Sequence, residues 1–206
     1  MLYLASTASD LRHADPRIGV MTGPACGGLG SIRHGHPWAS DCGVYSSTGK
    51  EQYCPHSFVQ HLDRLEAYAD TCLFVVVPDH PGDGPATLQR FLDHAPFLVG
   101  RGFPLAYVMQ DGAEHLPFPE GMSVAFLGGT DPWRARHGAA MIRRAKAEGF
   151  PVHVGRVNSA RRVRALAALG VDSVDGTYIG FRGVERGLAE IAGWLAQDRL
   201  PVLLAG

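Results

Sequence analysis

The run from Pro151 to Thr177, PVHVGRVNSARRVRALAALGVDSVDGT, reads as strand, loop, helix and strand in one pass. An apolar stretch at Val152 to Val154 gives way to a polar break at Asn158 and Ser159. A helix follows, with Val163, Leu166, Ala167 and Gly170 on its apolar face. Ser159 suits the N-cap and Gly170 the end of that helix. The second strand, Val171 to Thr177, carries Asp172 and Asp175. A carboxylate near the C-terminal end of such a strand has the usual bearing of a catalytic group in a parallel α/β barrel. Taken alone, these residues equally allow Asp172 as a turn cap and Asp175 as a solvated strand-end acid.

The alternation extends over most of the chain. Met1 to Ala5 is a short apolar strand, Trp38 to Tyr45 a strand running into a turn at Gly43, and Cys72 to Val77 a continuous apolar run. Such a run suits a strand covered on both faces of a parallel sheet. Strands at Pro104 to Met109 and Met122 to Leu127 follow. Helices are expected over 57–70, 85–98 and 136–148, and Val184, Leu188, Ile191 and Leu195 mark the last one. This order leaves little room for hairpins and argues for parallel β/α units, hence a small TIM-like (β/α)8 barrel in a single domain over 1–206. Seven strands can be counted. Residues 1–37 read as a loop-rich N-terminal segment, because Ser6 to Pro37 is rich in Gly, Pro, His and Ser. Residues 38–197 hold the β/α units. The tail 198–206, apolar over Leu200 to Leu204, is either an eighth strand or a segment packed under the barrel.

At 206 residues and 46% hydrophobic content, the chain can bury one sizeable core. A formal net charge of -1 supplies no bulk positive charge, so a nucleic-acid partner must be argued from local patches. The N-terminus has no basic leader, and its apolar run is too short for a signal peptide or a membrane span. That points to the cytoplasm and away from a membrane partner. Cys26, Cys42, Cys54 and Cys72 contain no C-x-x-C pair, and His34 and His36 lack a third ligand at a recognised spacing. No metal site is assigned. The Gly27-Gly28-Leu29-Gly30 piece does not sit between a clear strand and a helix, as a dinucleotide fingerprint requires.

The polar residues at the strand ends are Asp41, Asp79, Gln110, the Gly128-Gly129 pair, Asn158 and Asp175. In a barrel they face one pocket. Carboxylates accept from ring N–H and amino groups, while an amide and a glycine N–H donate to a carbonyl oxygen. That is the edge pattern of guanine. A remaining carboxylate can act as nucleophile at a sugar carbon through an oxocarbenium-like transition state.

These segments resemble, in order, the motifs of the tRNA-guanine transglycosylases and their DNA-acting relatives, which exchange guanine for a 7-deazaguanine. Asp41-Cys42-Gly43-Val44 resembles the family's Asp-Ser-Gly-Gly, and Val77-Pro78-Asp79-His80 its Phe-Asp-Glu-Cys strand end. Val108-Met109-Gln110-Asp111-Gly112 is similar to Val-Gln-Gly-Gly with one residue inserted, and Gly128-Gly129-Thr130 to Gly-Gly-Leu. His153-Val154-Gly155-Arg156, then a helix, then Gly170 to Thr177, resembles Met-Gly-Val-Gly, helix, Gly-Ile-Asp-Met-Phe-Asp-Cys-Val. The resemblance spans residues 41 to 177. It implies that Asp175 is the nucleophile on C1′ and Asp41 the general acid/base, with Asp79, Gln110, Gly128 and Gly129 holding the base. No cofactor and no metal are implied. Asp83, Asp111 and Asp172 are near neighbours of the same chemical type.

Two departures stand out. The tRNA enzymes are longer and carry a Cys/His zinc element, whereas no cysteine follows Cys72, and Gly176-Thr177-Tyr178 replaces their Pro-Thr-Arg. The chain is more similar to small phage relatives that place 7-deazaguanines in DNA to resist restriction, which implies the cytoplasm of a host cell. The implied partners are duplex DNA with a flipped guanine and a free 7-deazaguanine base such as preQ0. Backbone contact is expected from the Arg-rich half, chiefly Arg134, Arg136, Arg156, Arg161 and Arg162. Trp133 either stacks on a base or closes the barrel. The same exchange on tRNA, a non-catalytic nucleic-acid-binding barrel and a phosphosugar enzyme remain alternatives, and a homodimer is compatible with the sequence.

Overall fold

The computed structural model describes residues 1–6, 10–44 and 53–197. Eight parallel strands close into a barrel: β1 (Leu2–Ser6), β2 (Ile18–Thr22), β3 (Trp38–Ser40), β4 (Cys72–Val76), β5 (Leu105–Met109), β6 (Val124–Leu127), β7 (Val152–Val154) and β8 (Ser173–Asp175). Each strand pairs with the next in sequence, and β1 pairs also with β8, which leaves no edge. The helices are α1 (Pro55–Asp63), α2 (Gly84–Val99), α3 (Asp131–Ala147), α4 (Ala160–Ala168), α5 (Tyr178–Arg182) and α6 (Val184–Gln197). The TIM-like α/β barrel expected from the alternation is therefore the observed architecture. Among the described residues, no helix is long and apolar enough to cross a membrane.

The strand inventory needs one correction. β2 lies in the segment expected to be mostly loop. Its five residues, IGVMT, are too short to show a period, and Gly19 with the nearby Pro16, Gly23 and Pro24 reads as punctuation. Gly19 is there for packing: a Cβ at that position would lie 2.4 Å from the Pro37 carbonyl oxygen. With β2 in place, β8 and β1 meet, and the barrel is complete at eight strands. The tail over 198–206 lies outside the described residues.

Several boundaries move for local reasons. The helix expected over 57–70 is α1 followed by a separate 3-10 turn, Glu66–Thr71. α3 begins earlier than expected, at Asp131, because Thr130 caps it by accepting from the Trp133 N–H, with Pro132 in the first turn. Ser159 caps α4 as expected, and Gly170, at φ 77°, follows its end.

The inner wall is aromatic. Phe74 of β4, Phe126 of β6 and His153 of β7 meet across the interior, with ring centroids of Phe74 and Phe126 4.9 and 4.6 Å from that of His153. Outside the sheet, Trp38 packs edge-on to Phe103 at 5.9 Å and donates its indole N–H to the Tyr68 carbonyl. The fully buried Trp38 and Phe74 each contribute on the order of 2 kcal/mol.

Candidate active site

Parallel strands place all their C-terminal ends at one mouth, and the loops there carry Asp41 (after β3), Asp79 (after β4), Gln110 (after β5), Gly128-Gly129 (after β6) and Asn158 (after β7), while Asp175 ends β8. The neighbouring acids have other tasks. Asp172 sits at the opposite end of the barrel, accepting from the Val152 N–H at 2.7 Å and pairing with Lys146 at 2.8 Å. Asp83 caps α2 through the Ala86 N–H, and Asp111 binds the N–H and hydroxyl of Thr130.

Asp175 is held from inside the barrel. His153 Nε2 lies 3.0 Å from Asp175 Oδ1, and His153 Nδ1 lies 2.8 Å from Ser173 Oγ. With Asp175 as acceptor, the histidine carries its proton on Nε2 and accepts from the serine hydroxyl on Nδ1. The ring is completely buried between Phe74 and Phe126, so it has no freedom to turn away. Gly155 closes in from β7: a Cβ there would stand 3.1 Å from Asp175 Oδ1. Asn158 tethers its loop by donating to Thr177 Oγ1 at 3.4 Å.

Asp79 and Gln110 form a second unit. Gln110 Nε2 donates to Asp79 Oδ2 at 2.5 Å, and Gln110 Oε1 accepts from Gly129 N at 2.9 Å and Gly82 N at 3.0 Å. The amide thus binds three loops to one another, and in this structure the Gly129 N–H is directed at Gln110. Asp79 is 8% exposed. Burial pushes its carboxyl up to about 6 against the lowering effect of Gln110, and Asp41 adds to the rise. Its other oxygen faces the Cys42 thiol at 3.7 Å. Gly128 and Gly129 are required by packing: a Cβ on Gly128 would lie 2.6 Å from Val108, and one on Gly129, at φ 73°, 2.4 Å from Trp133. Trp133 itself is buried and donates to Glu114, so it closes the outside of the barrel.

Asp41 reaches solvent through the mouth, yet the protein packed around its carboxyl pushes its pKa up. The Gly43 N–H, 3.1 Å away, opposes the rise, and the charge of Asp175 adds to it. Asp41 is therefore coupled to both other acids, Asp175 and Asp79.

The basic run is divided by the fold. Arg134, Arg156 and Arg162 gather beside the mouth, where Arg134 donates to the Gly155 carbonyl, Arg156 to that of Gly129 and Arg162 to that of Arg156. Arg136 and Arg161 are exposed and make no ion pair among the described residues. Farther along, Arg144 bonds Glu148 and the Leu116 carbonyl, Lys146 pairs with Asp172, and Arg164 bonds Gln197.

His153 and Ser173 were not singled out from the sequence. The available signal was a polar ring between two valines in a strand destined for a barrel interior, where a buried histidine requires partners. Among the described residues, no group of three His, Cys, Asp or Glu side chains is placed to hold a metal ion. No family model matches this chain, and no curated protein does.

Proposed function

We propose that the barrel is a base-exchange glycosyltransferase that replaces guanine in DNA by a 7-deazaguanine. The observation that carries the reading is the pair Asp175 and Asp41, two carboxyl groups at the C-terminal ends of barrel strands, at one mouth but differently housed. One is fixed by a buried histidine, and the other is pushed toward holding its proton. Glycosyl transfer with a covalent intermediate uses such a division of labour between a nucleophile and a general acid.

Asp175 attacks C1′ through Oδ2, the oxygen not bonded to His153, and the C1′–N9 bond breaks. Asp41 supplies the proton that the departing guanine takes up. In the second half-reaction the incoming 7-deazaguanine gives its ring N–H proton to Asp41 and attacks C1′, and Asp175 leaves as a free carboxylate. Asp79 accepts from the base through Oδ1, which carries only the long contact from the Cys42 thiol, since Gln110 occupies Oδ2. Residues 73–206 contain no cysteine for the zinc element that the tRNA enzymes carry after the barrel strands, which favours DNA over tRNA in this reading. A stacked nucleotide cannot present C1′ to a barrel mouth, so the target must leave the helix. On this reading the protein works in the cytoplasm of the cell that holds the DNA.

The test is release of radiolabelled guanine from duplex DNA and, separately, from tRNA, with a 7-deazaguanine supplied. Release from DNA that disappears in Asp175→Ala, with DNA binding retained, is the expected result. Release from tRNA alone would move the same chemistry to another substrate, and normal turnover by Asp175→Ala would remove the assigned nucleophile.

A further inference from the structure

Arg134, Arg156 and Arg162 are interlocked beside Asp175, and we infer that they form a site for one backbone phosphate of the strand whose nucleotide occupies the mouth. The chemistry of an anion site is read from the array itself, while its occupant rests on the function proposed above.

Each guanidinium is oriented by a main-chain carbonyl. Arg134, in the first turn of α3, donates to Gly155 O at 2.8 Å; Arg156 donates to Gly129 O; Arg162, in the first turn of α4, donates to Arg156 O at 3.2 Å. A carbonyl fixes direction without neutralising charge, and the array is only weakly compensated. Asp131 pairs with Arg156 at 3.6 Å but is 76% exposed, where an ion pair has little strength, and Asp131 and Asp175 only partly offset the effects that lower Arg134. Arg134 shows the consequence. Burial first, then the charges of Arg156 and Arg162, bring it down to about 10. Its Nη1 is fully buried without a hydrogen-bond partner among the described residues.

The backbone reinforces the arrangement. Arg156 has φ 62°, and no other non-glycine residue among those described has a positive φ. A left-handed backbone is unfavourable for a residue with a side chain, and it persists where the surroundings over-determine it. The first turns of α3 and α4 also present their N-terminal N–H groups toward this end of the barrel. Planar guanidiniums match the oxygens of a phosphate better than a point charge does.

The location ties the array to the candidate nucleophile. Gly155 lies between them: its carbonyl accepts from Arg134, while a Cβ on its other side would be 3.1 Å from Asp175 Oδ1. A nucleotide with its sugar at Asp175 would have an adjoining phosphate within reach of the guanidiniums. Other basic residues of the run are directed elsewhere, as Lys146 is to Asp172.

The test is fluorescence anisotropy with a labelled, guanine-containing single-stranded oligodeoxynucleotide, titrated between about 50 and about 200 mM salt. Arg156→Gly removes one guanidinium while relieving its backbone, and Arg162→Gln removes an exposed one. Melting temperatures of both are compared with the wild type. Each variant is expected to bind about 10-fold more weakly, and the double variant to lose about one unit of salt slope, as for one phosphate. Arg143→Gln, exposed farther along α3, should match the wild type. Equal affinity and slope in the double variant and wild type, or no binding by the wild type, would overturn the site. Guanine release measured alongside keeps the two ideas apart. Exchange with Arg-independent binding defeats the phosphate site alone, and Arg-dependent binding without exchange defeats the chemistry alone.

Discussion

His153 and Asp175 meet from adjacent strands of the barrel, Nε2 to Oδ1 at 3.0 Å, and the histidine is in turn bonded to Ser173, which shares its strand with Asp175. The contact leaves Oδ2 without a partner from His153. On the proposed function, Oδ2 is then the oxygen that meets the reacting carbon, and the His153 N–H stabilises the carboxylate when it is released.

That contact predicts a specific loss. A hydrogen bond to a charged group is worth about 1.5–3 kcal/mol, so His153→Phe should slow guanine release by about 10- to 100-fold. The aromatic wall of Phe74 and Phe126 should accept the new ring. His153→Gln, which retains a donor, should recover part of the rate. Single-turnover rates with melting curves check this, and an unchanged rate in the folded phenylalanine variant would remove the positioning role.

Asp41 gives a pH prediction. The protein packed around its carboxyl pushes its pKa up, and on the proposed function the protonated form assists the departing base. The release rate should therefore fall as pH rises through the raised value. Asp41→Asn should be slow and should lack that limb. A rate profile from pH 5 to 9 decides it; an identical limb in the variant would assign it to another group, with Asp79 the nearest candidate.

The positions of these acids were legible in the sequence to the extent that strand ends were. Continuous apolar runs such as Cys72–Val76 announce buried parallel strands, and whatever polar residue follows them must arrive at the mouth. β2 was illegible because its glycine answers to the Pro37 carbonyl on a neighbouring strand end, a tertiary demand that looks locally like a loop. The use of Gln110 was illegible for a similar reason. Its amide serves Gly82, Gly129 and Asp79, three groups far apart in sequence, and no spacing rule encodes that. The basic run read as one cluster because sequence order ignores the turn of α3, which sends Arg134 to the mouth and Lys146 to Asp172 at the other end.

Gly155 tests how closely the mouth is fitted around Asp175. A methyl group there would sit 3.0 Å from Phe126 and 3.1 Å from Asp175 Oδ1, so one of them must yield by a few tenths of an ångström. The phenylalanine is locked against His153, which leaves the carboxylate to move. Gly155→Ala should therefore lower the rate by about 10-fold or more, since small misplacements of reacting groups are costly, while shifting the melting temperature only a few degrees. Equal activity would show that Asp175 is less constrained than its contacts imply.

His61 ties stability to pH away from the mouth. It lies on α1 beside Phe58 and Leu62, is 2% exposed, and neither ring nitrogen has a hydrogen-bond partner among the described residues. Burial, with a smaller contribution from Arg64, lowers its pKa from 6.5 to about 4. The folded state thus keeps the ring neutral while the unfolded chain takes up a proton below about 6.5. Stability from this residue is intact above that pH and is lost progressively as pH falls toward 4, by at most about 3 kcal/mol. Asp79 opposes the trend: its folded value of about 6 lies above the usual carboxylate value of 3.8, so it favours the folded state as pH falls through the same window. Replacing His61 by leucine isolates the histidine. In urea melts, His61→Leu should gain on the wild type between pH 8 and pH 5, whereas a constant difference across that range would show that the ring is protonated, or free to reach water, in the folded protein.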